Sequence, residues 1–225
     1  MSLTISLDAA VAAPVMPGLA AIGVACRRGR RLLFRGLNLQ LAPGAVTWLR
    51  GANGSGKTSL MRILAGLTQP EEGEVSWDSV PLRRSGAVAQ HKMLYIGHAN
   101  ALKDDLGLAE SLAFLARLAG LDQPEARARQ ALAQVGLASR TDAAVRTLSQ
   151  GQRRRGALAR LVLDDAPRVW ILDEPYDALD TASVAWLTSV IEAHRQRAGA
   201  VLLTSHQAVP LPQTREFDLE PWCVA

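Results

Sequence analysis

The sequence predicts an α/β domain with a mainly parallel sheet core, an N-terminal antiparallel β hairpin region and an inserted helical subdomain. Two observations carry this. Short apolar β-like runs alternate with helical patterns along most of the chain, the signature of an α/β sheet. From about Leu106 to Leu163 that alternation stops, and three alanine- and leucine-rich helical patterns follow one another (LGLAESLAFLARLAG, PEARARQALAQVGL, GQRRRGALARLVL) with no strand between them. With 225 residues, 48% hydrophobic and 20% charged, the chain is long and apolar enough to bury one large core.

In order along the chain, Leu19 to Ala25 and Leu32 to Leu41 read as strands flanking the basic turn Arg27-Arg28-Gly29-Arg30-Arg31. Val46 to Leu49 is a short apolar run, stopped by the glycine-rich GANGSGKT, after which Ser59 to Ala65 is helical. Glu74 to Trp77 and Met93 to Ile96 are further strand signals. After the helical stretch, strands return at Val169 to Leu172 and Ala200 to Thr204, with a helix from Thr181 to Arg195 between them.

Bulk chemistry removes several function classes. A formal charge of +4 comes mostly from arginine and reads as a solvated basic face, so no nucleic-acid partner is expected. Cys26 and Cys223 are too few for a disulfide framework or a cysteine metal site. Ala9 to Cys26 is uncharged and long enough to test as a membrane span. Pro14, Pro17 and Gly18 interrupt it, alanine dominates it, and Asp8 precedes it where a signal peptide carries basic residues. Residues 1–18 are therefore expected to be a disordered leader.

Two motifs carry chemistry. Gly51-x-x-x-x-Gly56-Lys57-Thr58 follows a strand and opens a helix, the setting in which a phosphate loop works. Gly51, Ala52, Asn53, Gly54, Ser55 and Gly56 would wrap phosphates with backbone N–H groups that no side chain blocks. The helix N-terminus adds partial positive charge, Lys57 reaches the β- and γ-phosphates, and Thr58, with Ser59 beside it, can ligate Mg²⁺. The second motif is the apolar strand Val169-Trp170-Ile171-Leu172 running into Asp173-Glu174. Buried strands rarely end in adjacent acids unless the strand end is a site, because open α/β sheets bind ligands at their carboxyl edge. Asp173 suits Mg²⁺ and Glu174 suits polarising an attacking water.

Leu148-Ser149-Gln150-Gly151-Gln152 resembles the LSGGQ signature of ABC ATPases, a branch of the P-loop NTPases. Ala178-Leu179-Asp180 resembles the D-loop of that family, and His206, after an apolar strand, its H-loop switch. With both motifs above, the resemblance covers nearly the whole chain after residue 18. It implies an ATP-binding domain over residues 19–225, with its helical subdomain at about 98–163, binding ATP and Mg²⁺. It also implies two copies packed head to tail, so that Ser149, Gly151 and Gln152 of one copy, with Asp180, complete the site holding ATP at Lys57 of the other. Glu174 and His206 would be catalytic, with Thr58 and Asp173 at the metal.

Three positions depart from the family pattern. Gln150 stands for a glycine of the signature. Aligning Leu102 and Glu110 puts His98 where the Q-loop glutamine stands; otherwise His98 is an ordinary loop histidine. Near Arg28, where an aromatic residue commonly stacks on adenine, there are only arginines, and a guanidinium plane can stack there instead.

The segments YIGHANALKDDLGLAESLAF, LSQGQRRRGALARL, WILDEPYDALD and TSHQ, with Gln207 after the switch histidine, resemble the ATP-binding subunits of the bacterial cytochrome c maturation haem exporter. That resemblance implies a peripheral subunit on the cytoplasmic face of the inner membrane. It would act with integral membrane subunits, in haem export or release of a haem-loaded chaperone. An ABC exporter ATPase for a lipid, drug or peptide is the alternative.

Overall fold

The computed structural model describes residues 18–84, 91–164 and 168–224. Among the described residues nine strands form two sheets: β1 (Leu19–Arg28), β2 (Arg31–Leu41), β3 (Val46–Arg50), β4 (Glu72–Trp77), β5 (Val80–Pro81), β6 (Met93–Ile96), β7 (Val169–Leu172), β8 (Ala200–Leu203) and β9 (Arg215–Asp218). The first sheet is antiparallel, in the order β2-β1-β4-β5. The second has the order β6-β7-β8-β3-β9, and every pairing in it is parallel. The α-helices that lie wholly among the described residues are α1 (Lys57–Leu64), α2 (Leu108–Leu118), α3 (Pro124–Gln134), α4 (Gln150–Leu158) and α5 (Thr181–Gln196).

The apolar runs of β7 and β8 are continuous because both faces of the parallel sheet are covered. Val169, Ile171, Ala200 and Leu202 point into a core shared with α1 and the antiparallel sheet. Trp170, Leu172, Val201 and Leu203 point the other way, onto Leu187 and Ile191 of α5. A separate core of Leu108, Leu112, Ala128, Leu132 and their neighbours holds α2 and α3 together, and no strand falls between β6 and β7 among the described residues.

Three details differ from the sequence expectations. The leader expected over residues 1–18 lies outside the described residues except for Gly18, which precedes β1 and is tied to Asp78, just past β4. Its N–H donates to Asp78 Oδ1 at 2.8 Å and its carbonyl accepts from Asp78 N at 2.9 Å. The arginine turn is shorter than expected: Arg28 and Arg31 pair across it, leaving Gly29, at φ 60°, and Arg30 as the loop. Strands β5 and β9 were not expected at all; β9 (REFD) has one half-buried residue among exposed ones, so its sequence lacks an apolar run.

Candidate active site

Strand β3 delivers the chain to the loop 51–56 and α1 carries it away. Gly56 is the N-cap of α1 at φ 108°, a conformation L side chains rarely adopt. A Cβ there would lie 3.1 Å from two ring carbons of Phe34 and 3.3 Å from Leu33 Cδ1. The loop is thus pressed against β2 of the antiparallel sheet. Lys57 Nζ donates to the carbonyls of Gly51 (2.8 Å) and Ala52 (3.1 Å), which tether the ammonium across the loop.

At the carboxyl end of β7, opposite α1, one hydroxyl organises both acids. Thr204, fully buried just past β8, donates to Asp173 Oδ1 (2.9 Å) and accepts from the Glu174 N–H (2.8 Å). Asp173 Oδ2 in turn accepts from Thr58 Oγ1 at 2.9 Å, joining the acid to the phosphate loop's helix. Glu174 sits in the left-handed region at φ 51°. Its carboxylate accepts the His206 N–H at Oε2 (3.1 Å), and the His206 ring Nε2 stands 3.6 Å from Oε1. Burial pushes the Glu174 carboxyl above the ordinary carboxylate range, His206 pulls it back, and Asp177 and Asp173 push it up.

A buried guanidinium lies behind these acids. Arg154, in the second turn of α4, is 4% exposed. Its Nη2 donates to the carbonyls of Asp173 (2.8 Å) and Glu174 (2.7 Å), and its Nη1 to the carbonyl of Gly97 (3.0 Å) and Asn100 Oδ1 (3.2 Å). Burial draws its pKa down, and the carboxylates of Asp177, Asp173 and Glu174 hold it up.

A cavity of about 520 Å³ brings together Asn53, Gly54, Gly56, Lys57, Thr58, Ser59, His98, Asp173, Glu174 and His206, with Arg28, Arg31 and Leu33 of the antiparallel sheet also lining it. Gly51 and Ala52 reach it through their carbonyls on Lys57, and Ser55 N donates to Ala52 O at 3.2 Å within the loop. Ser149, Gly151, Gln152 and Asp180 are not among its lining residues. Ser149 caps α4, accepting from Gln152 N (3.2 Å) while its own N–H donates to Gln152 Oε1 (3.0 Å), a capping box. Gly151 packs so closely that a Cβ would lie 2.8 Å from Ala178 O. Asp180 caps α5, accepting from Ser183 N at 2.8 Å. Thr204 and Arg154 were missed by sequence reasoning. The one ends the apolar run Ala200 to Thr204 and the other lies in the helical pattern GQRRRGALARLVL, and neither has a spacing that marks it.

The family profile described as "ABC transporter" matches residues 34–177, which is most of the chain. A cytochrome c biogenesis ATP-binding export protein CcmA of Aromatoleum aromaticum is 48% identical over 86% of this chain and 91% of its own length. The chain belongs to the ABC transporter family, in its branch of cytochrome c biogenesis ATP-binding export proteins. CcmA of Methylococcus capsulatus is also 48% identical, over 85% of this chain and 92% of its own. Among solved structures, the dimeric MJ0796, a bacterial ABC transporter cassette, matches with a TM-score of 0.78 at 19% identity, covering 89% of this chain and 94% of that one. Like other ABC family ATPases, the chain is a nucleotide-binding, ATP-hydrolysing transporter subunit. No helix among the described residues is long and apolar enough to cross a membrane.

Proposed function

We propose that this chain binds and hydrolyses ATP to drive haem export, or release of a haem-loaded chaperone, in cytochrome c biogenesis. It would do so as a peripheral subunit on the cytoplasmic face of the bacterial inner membrane, joined to integral membrane subunits. The observation that carries the chemistry is the convergence of the phosphate loop, two adjacent acids and His206 on one cavity. The haem assignment is supported by the names of relatives 48% identical to this chain.

In this reading the loop N–H groups and the α1 N-terminus receive the phosphates, and Lys57 moves from its carbonyl tethers to the β- and γ-phosphates. Thr58 Oγ1 and Asp173 Oδ2, 2.9 Å apart, are adjacent hard oxygen donors of the kind Mg²⁺ takes alongside phosphate oxygens and waters. These two residues would hold the ion, which would neutralise charge between the β- and γ-phosphates. Water attacks the γ-phosphorus, the bond to the β–γ bridging oxygen breaks, and the proton of the water passes to Glu174. His206, in contact with both Glu174 oxygens, orients that carboxylate. His98 faces the cavity as a ring whose nitrogen can meet water or phosphate. Ser149, Gly151 and Gln152, lying outside their own chain's cavity, are read as covering the γ-phosphate held by a second copy, with Asp180 at the shared face.

The test is complementation of a gene-deletion strain, read by a stain for covalent haem in c-type cytochromes. The native gene is expected to restore the cytochromes, and Glu174→Gln to leave them absent. Normal cytochromes in the deletion strain overturn the haem reading, and full rescue by Glu174→Gln overturns the role of the base.

A further inference from the structure

We infer that Arg154 is a positioning residue for ATP turnover, a buried guanidinium that holds Glu174 in its left-handed conformation and ties the His98 loop to the same point. The inference rests on the reading of Glu174 as the base.

A non-glycine residue at φ 51° persists only where its surroundings over-determine it. Glu174 is gripped on both sides: its N–H by Thr204, and its carbonyl by Arg154 Nη2 at 2.7 Å. The same nitrogen holds the Asp173 carbonyl at 2.8 Å, so the peptide between the two acids cannot rotate without breaking a bond to Arg154. The other terminal nitrogen takes Gly97 O and Asn100 Oδ1, the residues that flank His98 and Ala99. Four acceptors from two separate strand ends therefore converge on one planar group. An ammonium has the charge but not the flat fork, so lysine cannot reproduce this arrangement. None of the four contacts is to a loop 51–56 atom or an α1 atom, the groups read as receiving the phosphates.

Arg160 supplies the internal comparison. It is also desolvated and follows α4, but its guanidinium meets the Tyr95 carbonyl (3.3 Å) rather than the acids.

The experiment measures steady-state ATPase activity and fluorescent-ATP binding of the full chain for four variants: Arg154→Lys, Arg154→Met, Arg160→Lys and Glu174→Gln. Lysine keeps the charge and methionine the volume, so the two guard against opposite failures of folding. In whichever folds, kcat is expected to fall about 100-fold, as for a displaced catalytic group, while KM and the nucleotide Kd stay within about threefold. Arg160→Lys is expected to keep kcat within about twofold. The inference is overturned if a folded Arg154 variant keeps its kcat, if it loses nucleotide affinity in step with kcat, or if Arg160→Lys gives the same split. An active Glu174→Gln would instead overturn the reading of the base, so the two failures are told apart.

Discussion

Thr204 is a single hydroxyl serving two buried acids, so its removal has consequences that its size does not suggest. Thr204→Val has nearly the same shape but leaves Asp173 Oδ1 and the Glu174 N–H without that partner. An unsatisfied buried group costs about 1–3 kcal/mol, so the valine variant is expected to lose about 2–5 kcal/mol in a urea titration and most of its ATPase activity. Thr204→Ser keeps the hydroxyl and is expected to retain both. Equal behaviour of valine and serine in the two assays would show that the hydroxyl does not organise the acids.

Helix α5 meets the parallel sheet through a stacked pair, the His194 ring lying 3.7 Å from the Trp170 ring and within 7° of parallel. His194 is 4% exposed, and its Nε2 has no partner among the described residues. Burial, with Arg197 adding to it, lowers its pKa from 6.5 to about 4. The unfolded chain therefore binds the proton more readily, and this stability is complete above about pH 6.5 and lost as pH falls toward 4. The gap amounts to about 3 kcal/mol. Denaturation midpoints between pH 7 and 4 are expected to fall more steeply for the native chain than for His194→Phe, which keeps the stack without the proton. Parallel slopes would remove His194 as the cause.

At this scale the sequence was most legible where burial is on both faces. The run at Val169–Leu172, wholly buried, matches β7 residue for residue, and the half-buried run at Met93–Ile96 matches β6 at the sheet's edge. It was least legible at β9, which is held by backbone pairing to β3 and carries exposed charges. Within the site, residues bound to a motif by spacing were visible. Thr204 and Arg154 were not, because their partners lie 30 or 31 and 19 or 20 residues away along the chain and only the fold brings them close.

For the whole molecule, the decisive feature is that Lys57 lines the cavity and Ser149 does not. If two copies share each site, Lys57→Ala and Ser149→Arg are each expected to be inactive alone. Mixed, they form heterodimers with one site carrying both native residues, and ATPase activity is expected to return in the mixture. Continued inactivity in a mixture shown by native mass spectrometry to contain heterodimers would count against the shared site.

Phe34 fills the space beneath Gly56 and also pairs with Cys223 near the chain's end. The floor under the loop 51–56 is therefore a ring borrowed from the smaller sheet, not from the strands that carry the acids. Because that ring lies in the core both sheets share, anything that frees it would slacken the loop and the fold together.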